Sequence, residues 1–489
     1  MKKLIAVVLV CFVLAICLMT LWNVFPRHRS VAFIHVHVNN AAEKEIAIRI
    51  PVNGASFGAN KRTIRLDDNN GCDITIPKED CGLTIISHEF GYIRLITVPG
   101  DKIDLDITSK ADVVYKGDNA AGHKFFNSLN RQLIQDVSNP YENDTVASVI
   151  EQKINDKKNN ELYRLDELLQ ADKISRAYFD FARRDIQYYY AASLVDAMTS
   201  KYYISKKRDA LLKNDYITMW KKSFQQMPLD SPAAITTENF KYYAGLYYEW
   251  FAGDFQGERK LSGIKGNHPA NYYLIGKHFT GDVAEYLRAF YIYTRAIQKT
   301  YEQSLVEVYQ KFAAEYPHSN YIPFIKGEID SIIAFNQAIE KDNASGFTIL
   351  AGYDRLNSMD ELLRTIKGTA YYVDIWSTWC VPCKEEFAYT SALQSLLKDK
   401  NIKTLYLSID KGEADKKWRD MIKYYKLPGL HVRTNKQLSE DLFRLLGKGG
   451  ELAIPRYLLI DKNGTIVNDN AERPSDTARL KHQISGLLL

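Results

Sequence analysis

Hydrophobic and polar residues alternate in four successive ways along this chain, and each predicts a different kind of structure. Leu4 to Trp22 is apolar except for Thr20. As a helix, nineteen residues would span about 28 Å, close to the ~30 Å hydrocarbon core of a bilayer. The pattern then shortens to β-type alternation, with candidate strands at Val31–Val38, Glu45–Pro51, Arg62–Leu66, Asp73–Pro77, Leu83–Ser87 and Tyr92–Pro99. Asn, Gly and Asp separate them at the spacing of a small antiparallel β-sandwich, set here at residues 30–117. Residues 118–343 turn helical, with apolar faces over Ser175–Met198, Asn239–Phe251, Val283–Tyr316 and Tyr321–Ala338. This all-α stretch is rich in Tyr and Phe, notably Tyr188-Tyr189-Tyr190, Tyr242-Tyr243, Tyr247-Tyr248 and Tyr272-Tyr273. Aromatics at helical spacing predict packing between helices, with a peptide-binding groove as the alternative.

From Gly346 to the end the pattern mixes strands and helices. Ser358-Met359-Asp360-Glu361 has the form of a capping box and predicts a short helix to about Ile366. An apolar run, Ala370 to Trp376, predicts a buried strand, and a helix-forming segment runs from Lys384 to Leu397. Ile402–Ile409 is a second buried strand by its β-branched content, closed by Asp410. Amphipathic helices follow at Glu413–Tyr425 and Asn435–Leu446. Tyr457–Asp461 and Thr465–Val467 form a hairpin around Asn463-Gly464, and Ser475–Leu487 makes a last helix. Asn343-Ala344-Ser345-Gly346 is the most linker-like point before this 346–489 module.

Composition narrows the picture in two respects. The net charge is +5, but Lys2, Lys3, Arg27 and Arg29 supply four of these, leaving +1 for residues 30–489. That balance offers no electrostatic footprint for nucleic acid. The six cysteines fall into three pairs. Cys11 and Cys17 lie in the apolar leader. Cys72 and Cys81 flank a strand-like segment, either as a structural disulfide of an oxidising compartment or as two free buried thiols. No small-x-small cleavage site follows Trp22, and Ile16 is a poor residue before a lipoprotein cysteine. Residues 1–29 are therefore expected to be an uncleaved membrane anchor, with a removed signal peptide as the alternative.

The third pair carries the chemistry. In Trp379-Cys380-Val381-Pro382-Cys383 two thiols sit three residues apart, between a strand and a helix. The first sulfur would lie at the helix N-terminus, where unpaired N–H groups favour an anion and the thiol ionises more readily than free cysteine, pKa about 8.5. Cys380 would attack a substrate disulfide and Cys383 resolve the mixed intermediate. Half of a zinc site would need further ligands, and His431 and His482 stand alone, so no metal and no cofactor is implied. Val381-Pro382 carries neither histidine nor charge to stabilise a reduced thiolate, which favours a reductase over a disulfide-inserting oxidase; a disulfide isomerase or an oxidase is the alternative among enzymes.

The run Val373-Asp374-Ile375-Trp376-Ser377-Thr378-Trp379-Cys380-Val381-Pro382-Cys383-Lys384 resembles the active-site segment of thioredoxin-fold proteins. Lys384 and Glu386 are similar to those of the TlpA/ResA branch of membrane-tethered, extracytoplasmic disulfide reductases. That branch usually kinks its helix with a proline where this chain has Ala388. The resemblance implies a C-terminal α/β thioredoxin fold, a cis peptide at Ile454-Pro455, and substrate docking around Trp379, Pro382, Ile454 and Pro455. Asp374, in a mostly apolar strand, should have a raised pKa and take the Cys383 proton; its alternative is a hydrogen-bonded structural carboxylate. Glu386 is the other proton handler or else a surface charge. The resemblance also implies a protein on the inner membrane facing the periplasm, a disulfide-containing extracytoplasmic protein as substrate, and a membrane dithiol as electron donor. Pro99-Gly100-Asp101 resembles the end of a small β domain found upstream of TlpA-like modules in Bacteroidetes-type proteins. A rival reading makes residues 30–345 a binding module for a secreted or surface polypeptide, with the redox module regulatory or vestigial.

Overall fold

The computed structural model describes residues 31–109, 112–129, 131–136, 138–205, 210–340, 346–447 and 452–486. The expected anchor, with Cys11 and Cys17, lies outside them, as do Asn343–Ser345. Among the described residues no helix is long and apolar enough to cross a membrane. The chain divides into two compact units. One takes the described residues up to Tyr291 with Lys311–Phe324; the other takes Ile292–Gln310 and the described residues from Ile325 onward. The second unit thus begins well upstream of Gly346, where the sequence pattern places the redox module.

The first unit opens with eight strands: β1 (Ala32–Val38), β2 (Glu45–Arg49), β3 (Lys61–Arg65), β4 (Gly71–Ile76), β5 (Leu83–His88), β6 (Gly91–Ile96), β7 (Lys102–Ile107) and β8 (Val113–Gly117). They form two four-stranded sheets, β4-β1-β7-β8 and β3-β2-β5-β6. Ile34, Val36, Ile46, Ile48, Ile86 and Ile93 interdigitate in the core between them. Alternate residues face that core because strand side chains alternate sides. The expectation of a purely antiparallel sandwich needs correcting: β1 pairs β7 in parallel, Ile34 opposite Ile103. Periodicity marks faces but not direction, and five intervening strands leave ample chain for the crossover. Nor do Cys72 and Cys81 pair; both are free. Cys72 sits on β4 and Cys81 just before β5, in different sheets. Burial pushes both thiols up, Cys72 to about 11.

Helices follow: α1 (Ala120–Ser128), α2 (Ala147–Gln170), α3 (Arg176–Ser205), α4 (Ala210–Ser223), α5 (Phe240–Gly245), α6 (Glu258–Leu261), α7 (Asn267–His278), α8 (Gly281–Ala296), α9 (Gln303–Glu315) and α10 (Ile322–Glu340). A π-helical stretch, Leu246–Phe255, continues α5. The aromatic runs pack as helix contacts: Tyr188 is buried edge-on against Phe240 and Tyr243, and its hydroxyl donates to Pro228 O at 2.7 Å. Val283–Tyr316, which the apolar pattern joins into one helix, breaks between α8 and α9. Lys299 and Tyr301 there adopt left-handed backbone, with φ of 52° and 57°.

The second unit is built on the sheet β14-β13-β10-β11-β12-β9. Its strands are β9 (Phe347–Ile349), β10 (Ala370–Trp376), β11 (Ile402–Ser408), β12 (Gly429–Arg433), β13 (Arg456–Ile460) and β14 (Ile466–Asn468). Strands β9 to β12 run parallel; β13 runs antiparallel to β10, and β14 antiparallel to β13. Besides most of α10 and parts of α8 and α9, its helices are α11 (Met359–Thr365), α12 (Val381–Glu386), α13 (Thr390–Lys398), α14 (Asp415–Tyr424), α15 (Lys436–Leu446) and α16 (Thr477–Gly486). Every residue of β10 is buried because both faces are covered. Val373 and Ile375 meet α11 and α15 on one face. Ala370 and Tyr372 share the other with Leu393 and Leu397 of α13 and Leu480 and Ile484 of α16. Ser358 caps α11, accepting from Glu361 N–H at 3.2 Å, while the Glu361 carboxylate accepts from Asn357 N–H at 2.7 Å.

Candidate active site

Strand β10 delivers the chain to the sheet's end, and the loop Ser377–Cys380 turns it into α12. Cys380 is the N-cap, in extended backbone, and its Sγ accepts the Cys383 N–H at 3.2 Å. Pro382 falls in the first turn, where a missing N–H leaves no bond unmade. The two cysteines form a disulfide, with Cα atoms 5.4 Å apart. Cys383 is fully buried and Cys380 is 4% exposed, while Trp379 beside them is 59% exposed. A thiolate at Cys380 would accept the Cys383 N–H at the start of α12, and a helix N-terminus is an environment that lowers a thiol pKa.

The loop is held from both flanks. On one, the buried Asp410 carboxylate accepts from Thr378 N–H and Thr378 Oγ1, both at 2.8 Å, and from Ser408 Oγ at 2.8 Å. On the other, Lys384 Nζ donates to the Thr378 carbonyl at 2.9 Å, and to the carbonyls of Gln298 and Lys299 at 2.9 and 3.1 Å. Burial, then the nearby Lys417 and Lys299 charges, pulls Lys384 down to about 7.

Asp374 lies in the middle of β10, opposite Tyr406 on β11 and Tyr457 on β13. Its Oδ1 has no hydrogen-bond partner among the described residues. Burial, with the Glu386 charge second, holds its carboxyl well above the usual range. Glu386 is not the surface charge the sequence allowed for. It is buried on the inner side of α12, accepting from Ser475 N–H and Ser475 Oγ, both at 2.9 Å, with Arg473 3.7 Å away. Both carboxylate oxygens are therefore occupied in tying α12 to the segment before α16. The helix breaks after Glu386 even without a proline at Ala388: a 3-10 turn, Phe387–Tyr389, separates α12 from α13.

The Ile454–Pro455 peptide is cis, as the sequence context implies. Arg456 pairs with Ile375, so Pro455 precedes β13 at the end of the sheet where β10 leads into the motif. Across β10 from it, a groove of about 1310 Å³ opens at the ends of β10, β11 and β12. Trp379, Lys411, Lys417, Thr434 and Phe443 line it; Pro382, Ile454 and Pro455 do not. The expected docking residues thus lie on two sides of the motif.

Comparison with known proteins turns on the same stretch. The Redoxin family model matches residues 358–484. Residues 358–484 form a TlpA/ResA-like thioredoxin-fold module. A thiol-disulfide oxidoreductase ResA of Bacillus thuringiensis (strain Al Hakam) is 30% identical over 105 residues, which is 22% of this chain and 56% of that protein. The ResA of Bacillus anthracis has the same identity and coverage. The chain spans a little over half the length of these curated relatives. A thiol:disulfide interchange protein from Bacteroides sp., solved in solution, is 23% identical, covering 26% of this chain and 80% of that one with a TM-score of 0.22.

Within the redoxin module, sequence reasoning located Cys380, Cys383, Asp374 and Pro455 but missed Asp410 and the reach of Lys384. Asp410 gave a weak sign, a carboxylate directly after a buried strand. Lys384 gave none beyond its place next to Cys383, because its partners at 298 and 299 lie 86 and 85 positions away.

Proposed function

We propose that the protein is a membrane-tethered, extracytoplasmic thiol–disulfide oxidoreductase that reduces disulfides in other proteins. The observation that carries the chemistry is the Cys380–Cys383 pair, closed over the start of α12, with the Cys383 N–H directed at Cys380 Sγ. In the reduced enzyme the Cys380 thiolate attacks a substrate disulfide, forming a mixed disulfide and releasing one substrate thiolate. Cys383 loses its proton toward Asp374 and attacks Cys380 Sγ, releasing the second substrate thiol and leaving the enzyme disulfide. Two electrons pass to the substrate, and a membrane dithiol carrier restores the pair. The reducing direction is supported by Val381-Pro382, which offers no charge to stabilise the dithiol form. Placement outside the cytoplasmic membrane is supported by the apolar segment Leu4–Trp22 and by the ResA relatives' likeness to the redoxin module.

Insulin reduction by dithiothreitol tests the nucleophile: the wild-type protein accelerates it and Cys380→Ser does not. Equal rates would remove Cys380 from the role. A potential near about −270 mV supports the reductase reading, and one near about −120 mV would make the protein an oxidant instead. In the native host, Cys383→Ser should hold its client as a mixed disulfide through Cys380.

A further inference from the structure

We infer that Lys384 is a positioning residue: it fastens the active-site loop to the turn at residues 297–299, making that upstream segment a working part of the redox centre. The lysine next to the second cysteine would ordinarily reach solvent. Here it is 3% exposed, and all three ammonium hydrogens are directed at carbonyls. One belongs to Thr378, two residues before Cys380; the other two belong to Gln298 and Lys299.

Two features show that the turn is formed to receive it. Lys299 and Tyr301 take left-handed backbone, which residues with a Cβ seldom adopt unless their surroundings hold them there. Lys299 N–H closes the turn on Ala296 O at 2.9 Å, and this leaves the 298 and 299 carbonyls for Lys384. The turn is also anchored to the redox unit by side chains. Tyr301 stacks on Phe335 at 4.4 Å, its carbonyl accepts from Asn336 Nδ2 at 3.2 Å, and its hydroxyl pairs with that of Tyr425. Tyr425 in turn packs on Phe387 at 5.0 Å, and Phe387 packs edge-on against Trp376 at 5.2 Å, at the end of β10. Lys384 therefore joins the turn to the active-site loop, and an aromatic path joins Tyr301, just after the turn, to Trp376, the strand end from which that loop starts.

The consequence lies at Cys380. In the reduced chain, where no disulfide fixes it, the Sγ keeps its place at the Cys383 N–H because Thr378 is held, through its N–H and hydroxyl by Asp410 and through its carbonyl by Lys384. Releasing the lysine side frees the loop, moves the sulfur from its donor and raises the thiol pKa. The charged groups facing Lys384 are Lys299 and Lys417, which disfavour its proton, and Asp410, which favours it. This inference rests on the dithiol chemistry and is indifferent to its direction.

The test is the rate of Cys380 alkylation by iodoacetamide against pH, read by peptide mass spectrometry on the reduced full chain. Lys384→Met should alkylate roughly tenfold more slowly near neutral pH, the effect of a rise of about one pH unit in the thiol pKa. Tyr301→Ala, which leaves the motif untouched, should shift the same profile in the same direction. The double variant should be no slower than the slower single one. Lys384→Arg should recover most of the rate. A Lys384→Met profile superimposed on the wild type overturns the inference. So does an unchanged Tyr301→Ala profile, which would leave the lysine acting on the thiol without the turn. If Lys384→Met does not fold, Tyr425→Phe decides by the same criterion. A wild-type Cys380 that fails to alkylate below pH 8.5 would instead count against the dithiol chemistry itself.

Discussion

Asp374 is held where its charge is unwelcome, and the direction of its pKa shift determines both its usefulness and its cost to stability. A carboxyl that binds its proton more tightly in the folded chain than in the unfolded one destabilises the fold as pH rises, from the unfolded value near 3.9 through the raised folded value. Asp374→Asn should therefore raise the melting temperature above that of the wild type, with the gap absent near pH 3 and widening toward neutrality. The same substitution removes the group that takes the Cys383 proton, so turnover should fall roughly a hundredfold. A variant that is more stable and equally fast would assign Asp374 to structure alone. Asp374 was legible in the sequence because an acid stands out in an apolar strand. Asp410 and Lys384 were not, since one meets Thr378 from 32 positions along the chain and the other meets a turn more than eighty positions away.

At the scale of elements, local signals located what local forces build. Ser358 and Asn435 cap the helices they precede, the latter accepting from Leu438 N–H at 2.8 Å, and Asn463-Gly464 turns the hairpin. Strand β12 carried no such mark: Gly429-Leu430-His431-Val432-Arg433 has neither alternation nor length. It exists because β11 and β9 pair with it on either side. Gly429 is what permits the pairing, since its φ is +127° and a Cβ there would lie 2.4 Å from Thr404 O. Gly429→Ala should destabilise the redoxin module by at least about 1–3 kcal/mol from backbone strain alone, measurable by urea denaturation; an unchanged midpoint would contradict this close approach. The break between α8 and α9 was likewise invisible, because apolar spacing continues through residues 297–302 while tertiary contacts decide the turn.

For the whole molecule, cysteine state is the most direct check on how the chain is assembled. Alkylation of denatured, non-reduced protein should label Cys72 and Cys81, while Cys380 and Cys383 label only after reduction. A linked Cys72–Cys81 peptide would restore the structural disulfide and require β4 and the segment before β5 to approach more closely. The sequence by itself determined the succession of β, helical and α/β regions, the dithiol and its buried carboxylate, because periodicity and a three-residue spacing act over short range. Only the tertiary structure decided that β1 joins β7 in parallel, that Glu386 faces inward, and that the redox unit begins near Ile292. Each of these depends on pairing between segments far apart in the chain, where the free energy of burial and hydrogen bonding selects partners that no local pattern records.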